Sequence, residues 1–292
     1  MRKKLRHFYV YAAVRVLSAI VTSVARSTAV GIGAFAGTII YLVVPRQSRK
    51  AFDNLAIAYG GSRTRRELKR MTRRVFIALG RNLADVLRLP LIDEQNLSEV
   101  VSISGLDKFD RALSEGRGLI AITGHLGCWE LIPAYFSLSG YPVSVVARQV
   151  YDSRIDSLVR SFRSAKDIEL VGDSNFSGAL RCLGRGRALG LLIDERASNS
   201  GVEVDFFGGR SRVTKGPVVL SMRARAPIVP LAIHRGGRGR HVIEVGDPIC
   251  VSRDGDLKEG IDSYARLCSK AVEAYIRQHP TEWVWMHDKF DG

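Results

Sequence analysis

Gly118-Leu-Ile-Ala-Ile-Thr-Gly-His-Leu-Gly-Cys-Trp-Glu130 is the stretch on which the rest of the chain turns. Residues 119–122 are apolar, rich in β-branched side chains and preceded by glycine, the signature of a short buried strand. Thr123 and Gly124 end that run. An apolar pattern resumes over 128–138, where Trp129, Leu131, Ile132, Tyr135 and Phe136 follow helical spacing and Pro133 fits a first turn. His125 is therefore predicted at a strand-to-helix turn, with Glu130 in the opening turn of the helix. On one continuous helix, five residues turn through about 140° and separate the two side chains. Placed before the helix, the imidazole can fold back onto the Glu130 carboxylate. Such a contact fixes the tautomer and leaves the other ring nitrogen free to take a proton. Turn N–H groups around Gly127 are candidate donors to a developing oxyanion. The competing reading is a satisfied histidine at a helix start, with a glutamate complementing the helix dipole.

Working outward, residues 142–147, 189–193, 228–233 and 241–245 read as further strands, and 152–163, 176–186 and 261–278 as helices, with another helix starting at 217. Strands alternating with helices predict an α/β fold, a mostly parallel central sheet flanked by helices. The strand at 189–193 runs into Asp194 and Glu195, at the end of a strand where such sheets place their sites. An isolated carboxylate there is costly unless it is paired or used. Residues 204–209 and 214–217 read as a glycine-rich connection, and 281–292 as a short aromatic tail. His234 and His241, separated by a GGRGR turn, read as the two arms of a hairpin with a structural role.

The net charge of +15 over 292 residues points to an anionic partner: phospholipid head groups, nucleic acid or an acidic carrier protein. A hydrophobic content of 46% is ordinary for a globular protein and too low for a polytopic membrane protein. Cys128, Cys182, Cys250 and Cys268 form no C-x-x-C pair, which disfavours a zinc ribbon or disulfide framework and fits a reducing compartment. Residues 1–45 are expected to associate with a membrane. Residues 2–6 are basic, 9–24 are apolar but interrupted by Arg15, and 27–44 are uncharged and near the lower limit for a span. The apolar region is too long for a signal peptide and lacks a convincing A-x-A site. Residues 46–292 are expected to form the α/β domain. The basic run over 62–74 reads as one face of a helix that can meet lipid phosphates. It lacks the interleaved aromatics that would stack on bases, so nucleic acid is not expected.

Six blocks in order, AFDNLAIAY (51–59), GHLGCWE (124–130), VVARQ (145–149), LLIDERASNSGVEVDFFG (191–208), TKGPVVLSMRARAPIVPL (214–231) and TEWVWMHDKF (281–290), resemble the bacterial lipid A late acyltransferases of the glycerolipid acyltransferase superfamily. The resemblance runs from about residue 5 to the end. It implies a glycerol-3-phosphate acyltransferase-like fold and a place at the cytoplasmic face of a bacterial inner membrane. The implied reaction moves a fatty acyl chain from acyl carrier protein or acyl-CoA to a hydroxyl of a lipid A precursor or related glycolipid. On that resemblance His125 is the general base of an H-x4-E motif and Glu130 the acid orienting it. Arg148, Asp194, Thr214 and Lys215 fall at the family's substrate-binding positions, and no cofactor or metal is implied. The tail departs from the family's usual His-Arg-Arg, reading His287-Asp288-Lys289. Mannosylated phosphatidylinositol, a lysophospholipid or an aminolipid are alternative acceptors, and a thioesterase would use the same pair on water. A basic peripheral binding protein would explain the charge but not the His125 turn. Cys128 as a nucleophile is disfavoured, because a thioester donor already carries an activated acyl group.

Overall fold

A computed structural model describes residues 2–149, 152–197, 200–252 and 256–290. Four helices come first: α1 (Arg2–Ser23), α2 (Arg26–Val43), α3 (Pro45–Tyr59) and α4 (Arg65–Leu87). There follow α5 (Leu97–Val100), β1 (Val101–Ser104), α6 (Leu106–Ser114), β2 (Leu119–Thr123), α7 (Leu131–Leu138), β3 (Val143–Ala147), α8 (Ser153–Ser164), β4 (Glu169–Gly172) and α9 (Phe176–Gly184). The chain continues through β5 (Ala188–Leu192), β6 (Val202–Phe206), β7 (Gly209–Val213), α10 (Gly216–Ala224), β8 (Ile228–Arg235), β9 (His241–Val245) and α11 (Leu257–Gln278).

Seven strands form one sheet in the order β1-β9-β8-β2-β5-β3-β4, parallel throughout except between β8 and β9. The expected mostly parallel sheet is present. Period-two alternation along β2 explains its continuous apolar run. Ile120 and Ile122 face a core shared with α3, α4, α9, α10 and α11, while Leu119 and Ala121 face a second core with α6 and α7. The chain leaves β2 for β3 in one direction and leaves β5 for β8 in the other. The neighbouring strands β2 and β5 therefore flank a topological switch point, where the carboxyl ends of strands open a crevice.

Residues 204–209 are not an irregular connection. They belong to an antiparallel hairpin, β6–β7, whose two-residue turn is Phe207-Gly208, both with positive φ. That is the backbone of a type I′ turn, and Phe207 is an unusual residue to occupy it. His234 and His241 do lie on the arms of the β8–β9 hairpin.

Helix α2 is the one described helix long and apolar enough to cross a membrane. It buries Ala29, Gly33 and Gly37 and leaves Phe35, Ile39, Leu42 and Val43 exposed. Its small residues meet α4 at van der Waals distance. A Cβ on Gly33 would fall 2.3 Å from the Gly80 carbonyl oxygen, and one on Gly37 would fall 2.2 Å from that of Phe76. The basic run starts α4, whose first turn is closed by a capping box between Thr64 and Glu67. Its far end carries Asp85, buried against Arg26, Arg235 and His241 at 2.8–2.9 Å. This cluster ties α2 and α4 to the β8–β9 hairpin, and nothing in the periodicity of the sequence announced it.

Candidate active site

Parallel pairing of β2 with β5 sets Thr123 opposite Leu192, so the chain segments leaving the two strands run side by side. Two residues beyond each strand stand His125 and Asp194. The Asp194 Oδ1 lies 2.8 Å from His125 Nδ1, and its Oδ2 accepts the His125 backbone N–H at 2.7 Å. Trp283 Nε1 donates to the same Oδ2 at 2.6 Å. An ionised carboxylate only accepts, so Nδ1 carries the hydrogen and Nε2 is left with its lone pair.

Burial alone would raise the Asp194 pKa. The hydrogen bond and charge of His125, with the Trp283 and backbone N–H donors, outweigh it and hold the group at about 2. Burial likewise pushes His125 down, but Asp194, then Glu195 and Glu130, lift it above the ordinary imidazole value. The result is a buried carboxylate that stays charged and an imidazole tuned to accept a proton. Gly124 leaves room for this approach, since a Cβ there would sit 3.1 Å from Asp194 Oδ2.

Glu130, expected to orient His125, makes no hydrogen bond to it among the described residues. Helix α7 begins at Leu131, so Glu130 is the residue before the helix, and its carboxylate is taken bidentately by Arg163 at 2.6 and 3.0 Å. The guanidinium from the end of α8 outcompetes the imidazole because its fork matches both carboxylate oxygens. Local spacing pointed to the near carboxylate, whereas the strand pairing delivers the distant one. Gly127 corrects a second expectation. Its N–H donates to the Glu282 carbonyl at 3.0 Å, and those of His125 and Leu126 go to Asp194 and Gly124. The amides of Cys128, Trp129 and Glu130 make no hydrogen bond among the described residues. Cys128 is buried with its thiol pushed well up by burial, an inert side chain.

The other predicted positions lie apart. Arg148, just past β3, is exposed and pairs with Asp173 at 3.1 Å. Thr214 caps the Gly216 N–H, and Lys215 pairs with Asp262 at 3.1 Å. No described contact joins any of them to His125.

The tail contributes more than its sequence suggested. Trp283 and Trp285 are fully buried, Leu126 bridges to Trp283, and the Val284 N–H donates to the His125 carbonyl. His287 stands with its ring 4.8 Å from that of His125, and its Nε2 is buried with no partner among the described residues. Burial, then the charge of His125, lowers the His287 pKa. Lys289 is buried too, its Nζ 4.3 Å over the Phe206 ring, and desolvation pulls it down to about 8. The signal available in the sequence was the pair of tryptophans in the aromatic tail, too large and apolar to lie idle at the surface. His125, Glu195 and His287 bring donor atoms within 4.8 Å of one another, but Asp194 already engages His125 Nδ1.

Between α7 and the sheet runs a partly open apolar cavity. Phe109, Phe136, Val143, Gly190 and Leu231 line it, and its charged lining is the Glu130–Arg163 pair. Thr123, two residues from His125, also faces it. An apolar slot of this kind, with Thr123 in its lining, can seat a hydrocarbon chain.

A model of the family described as bacterial lipid A biosynthesis acyltransferase matches residues 1–291. Among curated proteins, a phosphatidylinositol mannoside acyltransferase of Mycobacterium tuberculosis (strain ATCC 25618 / H37Rv) is 25% identical over 211 residues, 70% of this chain and 65% of its own length. One from Mycolicibacterium smegmatis is 26% identical over 222 residues, 71% of this chain and 69% of that protein. The match thus spans about two thirds of the length of these relatives.

Proposed function

We propose, from the premise that this chain belongs to the bacterial lipid A biosynthesis acyltransferase family, that it moves a fatty acyl chain from a thioester donor to a hydroxyl of a membrane glycolipid, with His125 as general base and Asp194 as the acid that orients it. The observation carrying this reading is the two-point hold of Asp194 on His125, at 2.8 Å to Nδ1 and 2.7 Å to the backbone N–H. It leaves His125 Nε2 as the ring nitrogen able to take a proton, two residues along the chain from Thr123 in the lining of the apolar slot.

In this reading the acyl chain lies in the cavity under α7, with its thioester carbonyl at the His125 end. The acceptor hydroxyl gives its proton to Nε2 as its oxygen attacks the carbonyl carbon. The tetrahedral intermediate collapses, the C–S bond breaks, and the departing thiolate recovers the proton from the imidazolium. No covalent enzyme intermediate is needed, because a thioester is already activated. The free amides of Cys128 to Glu130 are the turn donors remaining for the oxyanion. The Glu130 carboxylate, held by Arg163 in the cavity lining, adds negative potential at His125.

The donor is acyl carrier protein or acyl-CoA, and both are anionic, as suits a chain of net charge +15. The same charge, with the exposed apolar face of α2 and the basic start of α4, supports placement at the cytoplasmic face of an inner membrane. A lipid A precursor is the favoured acceptor. Mannosylated phosphatidylinositol is the second reading, favoured by the names of the curated relatives.

The test is acyl transfer in a membrane fraction, using labelled acyl carrier protein and extracted glycolipids, with products read by mass spectrometry. Wild type adds one acyl chain to a glycolipid and His125→Ala does not, and the product identifies the acceptor. Release of free fatty acid as the main product, or equal behaviour of the two proteins, overturns the transferase reading in favour of a hydrolase or a binding protein.

A further inference from the structure

The pleat of the β8–β9 hairpin sorts its polar residues to two sides. Arg235 and His241, paired across the ladder, face Asp85. On the other side stand His234 and Glu244, diagonal neighbours because His234 pairs with Val242 and Ala232 with Glu244. His279, the residue just past the end of α11, completes this second cluster. The Glu244 Oε1 lies 2.8 Å from His234 Nε2 and 3.5 Å from His279 Nε2, and the three donor atoms all fall within 4.8 Å of one another. The two imidazoles stack at 3.7 Å between centroids, 10° from parallel. All three side chains are half-buried, so solvent reaches the cluster.

We propose that His234, Glu244 and His279 form a binding site for a divalent transition-metal ion, Zn²⁺ by its donor set, which clips the end of α11 to the β8–β9 hairpin. Two imidazole nitrogens and one carboxylate oxygen converging from three elements are the donors of a three-ligand zinc site, with water as fourth ligand. Zinc at about 2.0–2.2 Å from each donor sets them roughly 3.3 Å apart, near the two Glu244–histidine separations of 2.8 and 3.5 Å already present. Both rings must contain the ion in their planes, so loading tilts them out of their stack.

The position gives the clip its consequence. His279 opens the tail: three residues later the Glu282 carbonyl accepts the Gly127 N–H, and Trp283 then reaches Asp194. Gly127 itself packs on the strand carrying His234, since a Cβ there would meet the Ile233 carbonyl oxygen at 2.1 Å. An ion here would hold the tail in register with the His125 turn while taking no part in the chemistry.

The experiment uses the full-length protein in detergent, stripped with a chelator and dialysed. Zn²⁺ is titrated by calorimetry and Co²⁺ by visible absorption, alongside thermal melts. The expected result is one ion per chain, intense Co²⁺ bands of tetrahedral coordination, and a melting point that rises with Zn²⁺. Glu244→Gln, nearly isosteric, and His279→Ala are each expected to weaken binding at least about tenfold, while Glu195→Gln retains it. Absence of stoichiometric binding overturns the proposal. So does binding that survives Glu244→Gln and His279→Ala, or that is lost in Glu195→Gln, which assigns the ion to the His125 cluster instead. Every readout is independent of acyl transfer.

Discussion

Asp194 grips His125 twice, through the ring and through the backbone, and the partner thus held comes from the neighbouring strand 69 residues away. The backbone contact positions the imidazole, and the ring contact sets its tautomer. Replacing Asp194 with Asn keeps the shape but can turn the amide donor toward the ring, favouring the wrong tautomer. The expected loss in kcat/KM for Asp194→Asn is about 10³–10⁴-fold, with KM nearly unchanged. Glu130→Gln, which cannot hold Arg163 as an ion pair, is expected to lose far less. Steady-state kinetics of the two variants check the assignment, and an equal or larger loss in Glu130→Gln would return the orienting role to Glu130.

The pH profile carries the same assignment. His125 must be neutral to accept a proton, and its pKa is raised because Asp194 and the nearby glutamates outweigh burial. Activity in wild type is therefore expected to rise with pH through a midpoint above the ordinary imidazole value. In Asp194→Asn the largest favourable charge is gone and burial prevails, so the rising limb moves to lower pH while the plateau falls. The pH dependence of kcat/KM in both proteins measures this directly.

Much of this site was legible before the structure. The glycine-bounded apolar run marked β2, and the apolar run into Asp194 marked β5, because buried parallel strands have no polar alternation to blur them. Which carboxylate faces His125 was not legible. Glu130 is near in sequence, whereas Asp194 is near only through the β2–β5 register. Arg163 read simply as the end of a helix, since nothing local says that α8 folds back over the cavity. The β6–β7 hairpin escaped because its turn is Phe207-Gly208 instead of the Asn-Gly or Asp-Gly such turns favour.

Gly190 sits in the middle of β5 in the cavity lining, beside its β3 partner Val145, which also lines the cavity and whose Cγ1 would be 3.3 Å from an added Cβ. A larger side chain there takes space from the acyl chain. Each methylene excluded forfeits about 0.8 kcal/mol, so Gly190→Leu, displacing two or three, is expected to reduce kcat/KM for the longest donor about tenfold or more. Shorter donors should lose little. Competition between acyl donors of graded length reads this as a shift in the preferred chain; a uniform loss across lengths would remove the cavity as the acyl slot.

Lys289 places its ammonium out of solvent, and desolvation depresses its folded-state pKa to about 8 from an unfolded value of 10.5. The folded protein then binds fewer protons than the unfolded chain between those two values, so stability rises with pH across that window. Below about pH 8 the full penalty of the buried charge is present. Lys289→Met, which keeps the length and drops the charge, is expected to be more stable than wild type at pH 7, by an amount on the order of 1–3 kcal/mol. The advantage should shrink toward pH 10.5. Chemical denaturation of both proteins at several pH values tests the slope, and a constant difference would mean that Lys289 is held charged.

Gly33 and Gly80 meet backbone to backbone, each lacking the Cβ that would strike the other's carbonyl, at 2.3 Å in one direction and 2.1 Å in the other. At this point the seam between α2 and α4 is one close approach seen from two sides. Either Gly33→Ala or Gly80→Ala forces the helices apart, at a cost of about 1–3 kcal/mol from overpacking and lost contact. Once the helices have separated, the second methyl enters space already opened. The double variant is expected to be destabilised by much less than the sum of the singles, a coupling of at least about 1 kcal/mol. Denaturation midpoints of the four proteins close the cycle. Additive losses would mean that α2 does not pack on α4 through these two residues, and the apolar helix would then meet the α/β domain by another face.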